Sequence, residues 1–150
     1  MAWRRLTETD LLTGLSGTEL GKFRSVALRD DQADPIDTVI DSTTDLVRGY
    51  IAANKNNTLG PDGTLPEKLI SSAVDCLVIK VQKRVAGVII DPKGVRKDAA
   101  EAAVKLFEQV ARGLFAIETP EEANTEQHGT PSPSIKGRLP QFSKAQQDGI

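Results

Sequence analysis

Three stretches of the chain place apolar residues three and four apart, and that spacing predicts helices that each bury one face. The first runs through Ile36, Val39, Ile40, Thr43, Val47, Tyr50 and Ile51, with Asp41, Asp45 and Arg48 on the opposite side. It predicts a helix from about Pro35 to Ala53. Asp34 is its cap, Pro35 fits the first turn, and Asp37 suits the positive end of the helix dipole. The second stretch holds Leu69, Ile70, Ala73, Val74, Leu77, Val81 and Val85, widened by Cys76, Val78 and Ile79. A helix apolar over so much of its circumference is expected at the centre of its bundle. The third holds Ala99, Ala100, Ala103, Val104, Phe107, Val110 and Ala111 and is expected to end near Arg112, with Gly113 just past the end. Its small residues permit close helix approach.

Two shorter helices are expected ahead of these. Thr7-Glu8-Thr9-Asp10 and Ser16-Gly17-Thr18-Glu19 both set a hydroxyl three residues before a carboxylate, which is a helix-start pattern. Leu11, Leu12 and Leu15 follow the first, and Leu20, Phe23, Val26 and Ala27 the second. Asn54 to Leu65 is expected as a loop with strong turn chemistry at Gly60-Pro61-Asp62-Gly63, and Thr64-Leu65-Pro66-Glu67 as the restart of a helix. The fold class is therefore all-α: a small bundle of two short and three longer helices.

Beyond the last helix the composition changes. Leu114-Phe115-Ala116-Ile117 is a short apolar run. It either packs back on the bundle or adds as an extended strand to a neighbour. From Thr119 to Ile150 hydrophobic residues are sparse, and four of the eight prolines fall there. That segment cannot build its own core. The chain thus divides into a helical domain, residues 1–118, and an extended tail, residues 119–150, that docks on partners. Ile135, Leu139 and Phe142 are its candidate anchors, with Lys136, Arg138 and Lys144 around them.

Composition excludes several kinds of chemistry. With 150 residues, one Cys and one His, the chain has neither a disulfide framework nor a Cys/His metal cluster of its own. A catalytic triad would have to use His128, which sits in a Pro/Ser-rich stretch. Aromatic residues make up 4%, so the core must come from Leu, Ile, Val and Ala. The net charge of −2 gives no basic footprint for duplex nucleic acid. No signal peptide or membrane span is expected, and Cys76 is expected as a buried thiol in a protein folded in a reducing cytosol. Asp30, Gln32, Asp34, Asp37 and Asp41 suggest a calcium loop, but its sixth and twelfth positions are Pro35 and Asp41 where Gly and Glu are needed. Gly17 to Phe23 falls one residue short of a phosphate loop, and Phe23 stands where a hydroxyl must hold the metal. No enzyme activity, cofactor or metal is expected. Lys80, Lys83 and Arg84 form a local basic cluster, either a solvated face or a contact for a phosphate or an acidic partner.

The order of these segments resembles the head–tail connector (adaptor) proteins of tailed bacteriophages, including the Mu-like neck-protein branch. The residues that carry the resemblance are Leu6 to Leu12, Ser16 to Leu20 and the acidic loop Asp30 to Asp37. With them go Val39-Ile40, then Asp45 to Ile51 with its Tyr-Ile pair, Leu65 to Ile70, and Leu106-Phe107 to Gly113. The resemblance implies a structural protein that forms a ring, usually dodecameric, under the portal and joins it to a downstream neck or tail protein. DNA would pass through without sequence-specific binding, and the protein would reside in the virion neck. In that reading Leu114, Phe115, Ile117, Ile135, Leu139 and Phe142 are the partner-binding residues. A different class is a small cytosolic helical binding or regulatory protein, DNA-binding or antitoxin-like, that would use Lys80, Lys83 and Arg84.

Overall fold

The computed structural model describes residues 3–27, 34–84 and 93–120. The loop residues Asp30, Asp31 and Gln32, the last stripe residue Val85, His128 and the anchors Ile135, Leu139 and Phe142 lie outside the described residues, as does the tail from residue 121 onward. Among the described residues the chain is mostly helical, with five helices and a two-stranded ribbon.

The helix starts follow local chemistry. Thr7 precedes α1 (Glu8–Gly14), and its N–H and hydroxyl both donate to Asp10 Oδ2, at 2.9 and 2.8 Å. Ser16 precedes α2 (Gly17–Ala27) in a reciprocal box. The Glu19 N–H donates to Ser16 Oγ at 3.2 Å, and the Ser16 N–H donates to Glu19 Oε2 at 2.8 Å. Asp34 caps α3 (Pro35–Ala53) by accepting from the Ile36 N–H at 3.0 Å, with Pro35 at the first helical position. Next comes α4 (Glu67–Arg84), then α5 (Val95–Ala111).

The end of α5 forms a Schellman motif. Gly113 takes φ +75°, its N–H donates to the Val110 carbonyl at 3.1 Å, and the Leu114 N–H donates to the Gln109 carbonyl at 2.9 Å. Glycine is required there because side-chain-bearing residues avoid that conformation.

Helix α4 is the centre of the bundle and packs against α1, α2, α3 and α5. Its Leu69, Ala73 and Leu77 are fully buried, together with Leu11 from α1, Val47 and Ile51 from α3, and Phe107 and Val110 from α5. Each Leu, Val, Ile or Phe among them contributes roughly 1.5–3 kcal/mol relative to exposure. The Tyr50 and Phe107 rings meet at 5.9 Å between centroids, joining α3 to α5.

One element departs from the sequence expectation. Thr64–Pro66 does not begin the helix. It forms strand β2, antiparallel to β1 (Trp3–Arg5), with Trp3 opposite Pro66, Arg4 opposite Leu65 and Arg5 opposite Thr64. Three residues are too few for a visible period of two, and the partners are about sixty positions apart. The pairing is a tertiary contact, and α4 begins only at Glu67, once the ladder ends.

Candidate functional site

The clearest cluster of directed polar contacts surrounds the ribbon. The Arg4 guanidinium forms a fork on Asp10, Nη1 to Oδ2 at 2.8 Å and Nη2 to Oδ1 at 2.9 Å, while its Nε donates to Glu67 Oε2 at 2.8 Å. One side chain on β1 thereby fixes the first turns of both α1 and α4. Hydrogen bonding from Arg4 pulls the Asp10 carboxyl down to about 2. Arg48 performs a second tie. Its Nη1 donates to the Pro61 and Thr64 carbonyls at 2.9 and 2.8 Å, and its Nη2 donates to the Gly60 carbonyl at 3.2 Å. Arg48 sits on the polar side of the α3 stripe, as its position in the period requires. Its long side chain nevertheless folds over the turn and stands beside β2 where another strand would pair.

Trp3 supplies the third tie. Its indole Nε1 donates to the Glu118 carbonyl at 2.8 Å, across 115 positions of sequence. Gly60 lies against the ring so closely that a Cβ there would come within 2.6 Å of it. Pro120 is buried, and Lys68 Nζ lies 3.9 Å from Glu118 Oε1. Packing therefore continues two residues past 118.

These contacts set where the expected partner residues lie. Phe115 and Ile117 are partly buried against the chain's own core. Leu114 is 74% exposed, at the end of the bundle formed by the C-termini of α3 and α5, where Gly113 approaches Asn54. The apolar run is thus divided, two side chains inward and one outward. Ile135, Leu139 and Phe142 lie outside the described residues.

The basic cluster is divided as well. Lys80 Nζ donates to the Ser42 carbonyl and Arg84 Nη1 to the Pro35 carbonyl, both at 3.3 Å, so two of the three cations join α4 to α3. Lys83 is exposed. Burial lowers the Lys80 pKa and raises that of Cys76, whose Sγ lies 3.8 Å from the Ala100 carbonyl. Burial likewise raises the pKa of Asp75. Arg24 joins Glu8 to the cap residue Asp34, and Arg96 joins α5 to Glu19, whose carboxyl it holds below the usual range.

Two concavities stand out. A slot between Phe23, Ile36, Val39 and Val81 has room for about one water, 10 Å³, so it is a packing gap. A larger groove of about 630 Å³ runs between the ribbon and α3. Arg5, Leu6, Thr7 and Glu8 form one side; Asp37, Ile40, Asp41 and Thr44 form the other; Asp62 and Gly63 close one end. Leu6, Ile40 and Thr44 are buried beneath it. Sequence reading missed this groove because its two walls lie about thirty positions apart in the chain and only the tertiary fold brings them together.

Among the described residues no group of His, Cys, Asp and Glu side chains is arranged to hold a metal ion. No helix among them is long and apolar enough to cross a membrane. Comparison of the chain with protein-family models, with curated proteins and with solved structures finds no match.

Proposed function

We propose that the chain is a structural head–tail adaptor of a tailed phage, forming an oligomeric ring under the portal that surrounds the DNA channel. The observation that carries this reading is the fixed base of the C-terminal segment. Trp3 grips Glu118 and Pro120 is buried, so the chain is held beside the ribbon up to residue 120. An arm on a firm mount suits a protein that joins other components.

Two further features support it. A closed ring requires two different faces on each subunit. The bundle offers a carboxylate-bearing side of α3, with Asp37, Asp41 and Asp45 exposed, and a different face at its far end, where Leu114 points outward. The carboxylate side would also repel passing DNA and so not retain it.

The test is electron-microscopic imaging of the full chain mixed with its cognate portal. Rings, or rings stacked on portals, are expected. A stable monomer indifferent to every virion component would overturn the reading. Deleting residues 121–150, a boundary chosen to keep Pro120 in place, should leave the helical signal intact and abolish assembly. Normal assembly by that variant would remove the tail from the account.

A further inference from the structure

The turn ahead of β2 contains one peptide linkage that its neighbours do not hold. The Thr64 N–H donates to the Pro61 carbonyl at 3.1 Å, and the Thr64 hydroxyl to the same oxygen at 2.6 Å. Arg48 donates to the Gly60, Pro61 and Thr64 carbonyls. Asp62 and Gly63 lie between these fixed residues and are engaged far less. The Asp62 side chain is fully exposed, and its contact with Arg48 Nη2 is long, 3.4 Å. A surface pair of that kind holds a carboxyl weakly. The Gly63 N–H has no hydrogen-bond acceptor among the described residues. The space beside Gly63 is open as well, since a Cβ built there would meet only Arg5 Nε, at 3.9 Å.

These are the conditions for a reaction within the chain. The Gly63 nitrogen can reach the Asp62 Cγ by closing a five-membered ring, and glycine puts no side chain in the way and leaves the backbone free to turn. Among the described residues Asp62 is the only aspartate followed by glycine. Asp10 and Asp34 are held by Arg4 and Arg24. Asp37, Asp41, Asp45, Asp75 and Asp98 lie within helices, whose backbone is fixed.

We propose that the Asp62–Gly63 step is a site of self-modification, at which aspartate converts to isoaspartate and so releases the Arg48 tie. The Gly63 nitrogen attacks Cγ of the neutral carboxyl. A C–N bond forms, the nitrogen's proton and the carboxyl's hydroxyl leave as water, and a succinimide ring results. Water then adds to the former backbone carbonyl carbon and breaks its bond to the Gly63 nitrogen. The main chain now runs through Cβ and Cγ and is one atom longer, with the old backbone carbonyl freed as a carboxylate. Mass and net charge are unchanged. Arg48 Nη1 spans this linkage, with Pro61 on one side at 2.9 Å and Thr64 on the other at 2.8 Å. Thr64 is also fixed opposite Arg5 in the ribbon. An extra main-chain atom therefore shifts Pro61 against Thr64 and breaks the turn bond and part of the guanidinium's grip. The inference does not depend on the adaptor reading.

The test incubates the full chain beside a synthetic peptide of residues 56–68 in mildly acid buffer at physiological temperature. Trypsin releases the same peptide from the chain, between Lys55 and Lys68, and Asp62 is its only aspartate. Asp148–Gly149, the other such step in the sequence, lies outside the described residues and on a different tryptic peptide. Isoaspartate gives a peptide of unchanged mass and shifted retention, located at residue 62 by electron-transfer fragmentation. Deamidation at Asn56 or Asn57 changes the mass and is thereby separated. The full chain should convert within an order of magnitude of the peptide's rate. Asp62→Glu keeps the charge but would need a six-membered ring, and should give no shifted peptide. The two forms of the segment elute apart, so amide exchange is read on each in one sample. Exchange should rise through residues 60–66 in the isoaspartate form alone, with α4 unchanged. Conversion slower than the peptide's by more than an order of magnitude would overturn the proposal. So would a shifted peptide from Asp62→Glu, or an isoaspartate form whose exchange at residues 60–66 matches that of the unaltered chain.

Discussion

The interior around α4 and the clasp around the ribbon hold the molecule by different means. The interior is apolar contact. Leu69, Ala73 and Leu77 of α4 meet Val47, Ile51, Phe107 and Val110, all fully buried. Such contact is strong and non-directional, and it tolerates swaps of similar volume. The clasp works through Arg4, Arg48 and Trp3, each with oriented donors on named acceptors. These bonds add less stability but fix position. The bundle needs the first to exist and the second to aim its ribbon and its last described segment.

Four substitutions separate these roles. The largest effect belongs to the interior: Phe107→Ala should cost about 3–5 kcal/mol in denaturant unfolding, because it opens a cavity against Tyr50 and α4. Arg48→Met comes next. It leaves the Gly60 and Thr64 carbonyls without the guanidinium donor, while Pro61 keeps its bonds from Thr64, and should cost about 2 kcal/mol, with amide exchange rising through residues 60–66 before the helices are touched. If the whole bundle loosens together, the clasp is not a separate layer. Trp3→Phe keeps most of the packing and removes the indole donor. About 1 kcal/mol is expected, with faster exchange at residues 115–120 specifically.

The smallest effect is acid sensitivity. Asp10 has its pKa depressed from 3.8 to about 2. Its contribution is present above the unfolded value and disappears as pH falls from about 4 through 2. With Arg4 partly exposed, solvent screening reduces this to the order of 1 kcal/mol. Unfolding measured between pH 5 and pH 2 should therefore be steeper for the unaltered chain than for Asp10→Asn. Parallel curves would mean that Arg4 does not hold Asp10 in solution.

Much of the interior was legible in the sequence, and little of the clasp. Period and caps are local signals: Ser16 with Glu19, Asp34 with Pro35, and Gly113 each lie within a few residues of what they control, and the helices start and stop beside them. The clasp joins positions about sixty and 115 apart, through strands of three residues and single long side chains. No period reports such contacts. Arg48 and Lys80 show the same limit, since a helical period assigns the Cα to a face while four or more bonds of side chain decide where the charge goes. The groove was invisible for the same reason: Leu6 and Ile40 are each ordinary apolar positions until the ribbon brings their segments together.

The Trp3–Glu118 bond also has a mechanical meaning. A force applied to the chain beyond Pro120 does not simply unwind α5 from its end. It first meets an indole anchored in a strand, and that strand is fastened by Arg4 to the first turns of α1 and α4. The load falls first on that one hydrogen bond and on the packing of Pro120, and it reaches the end of α5 only when they give way. The strand behind the indole stays fastened by Arg4 when the bond breaks, so the last described segment can detach while the bundle remains whole.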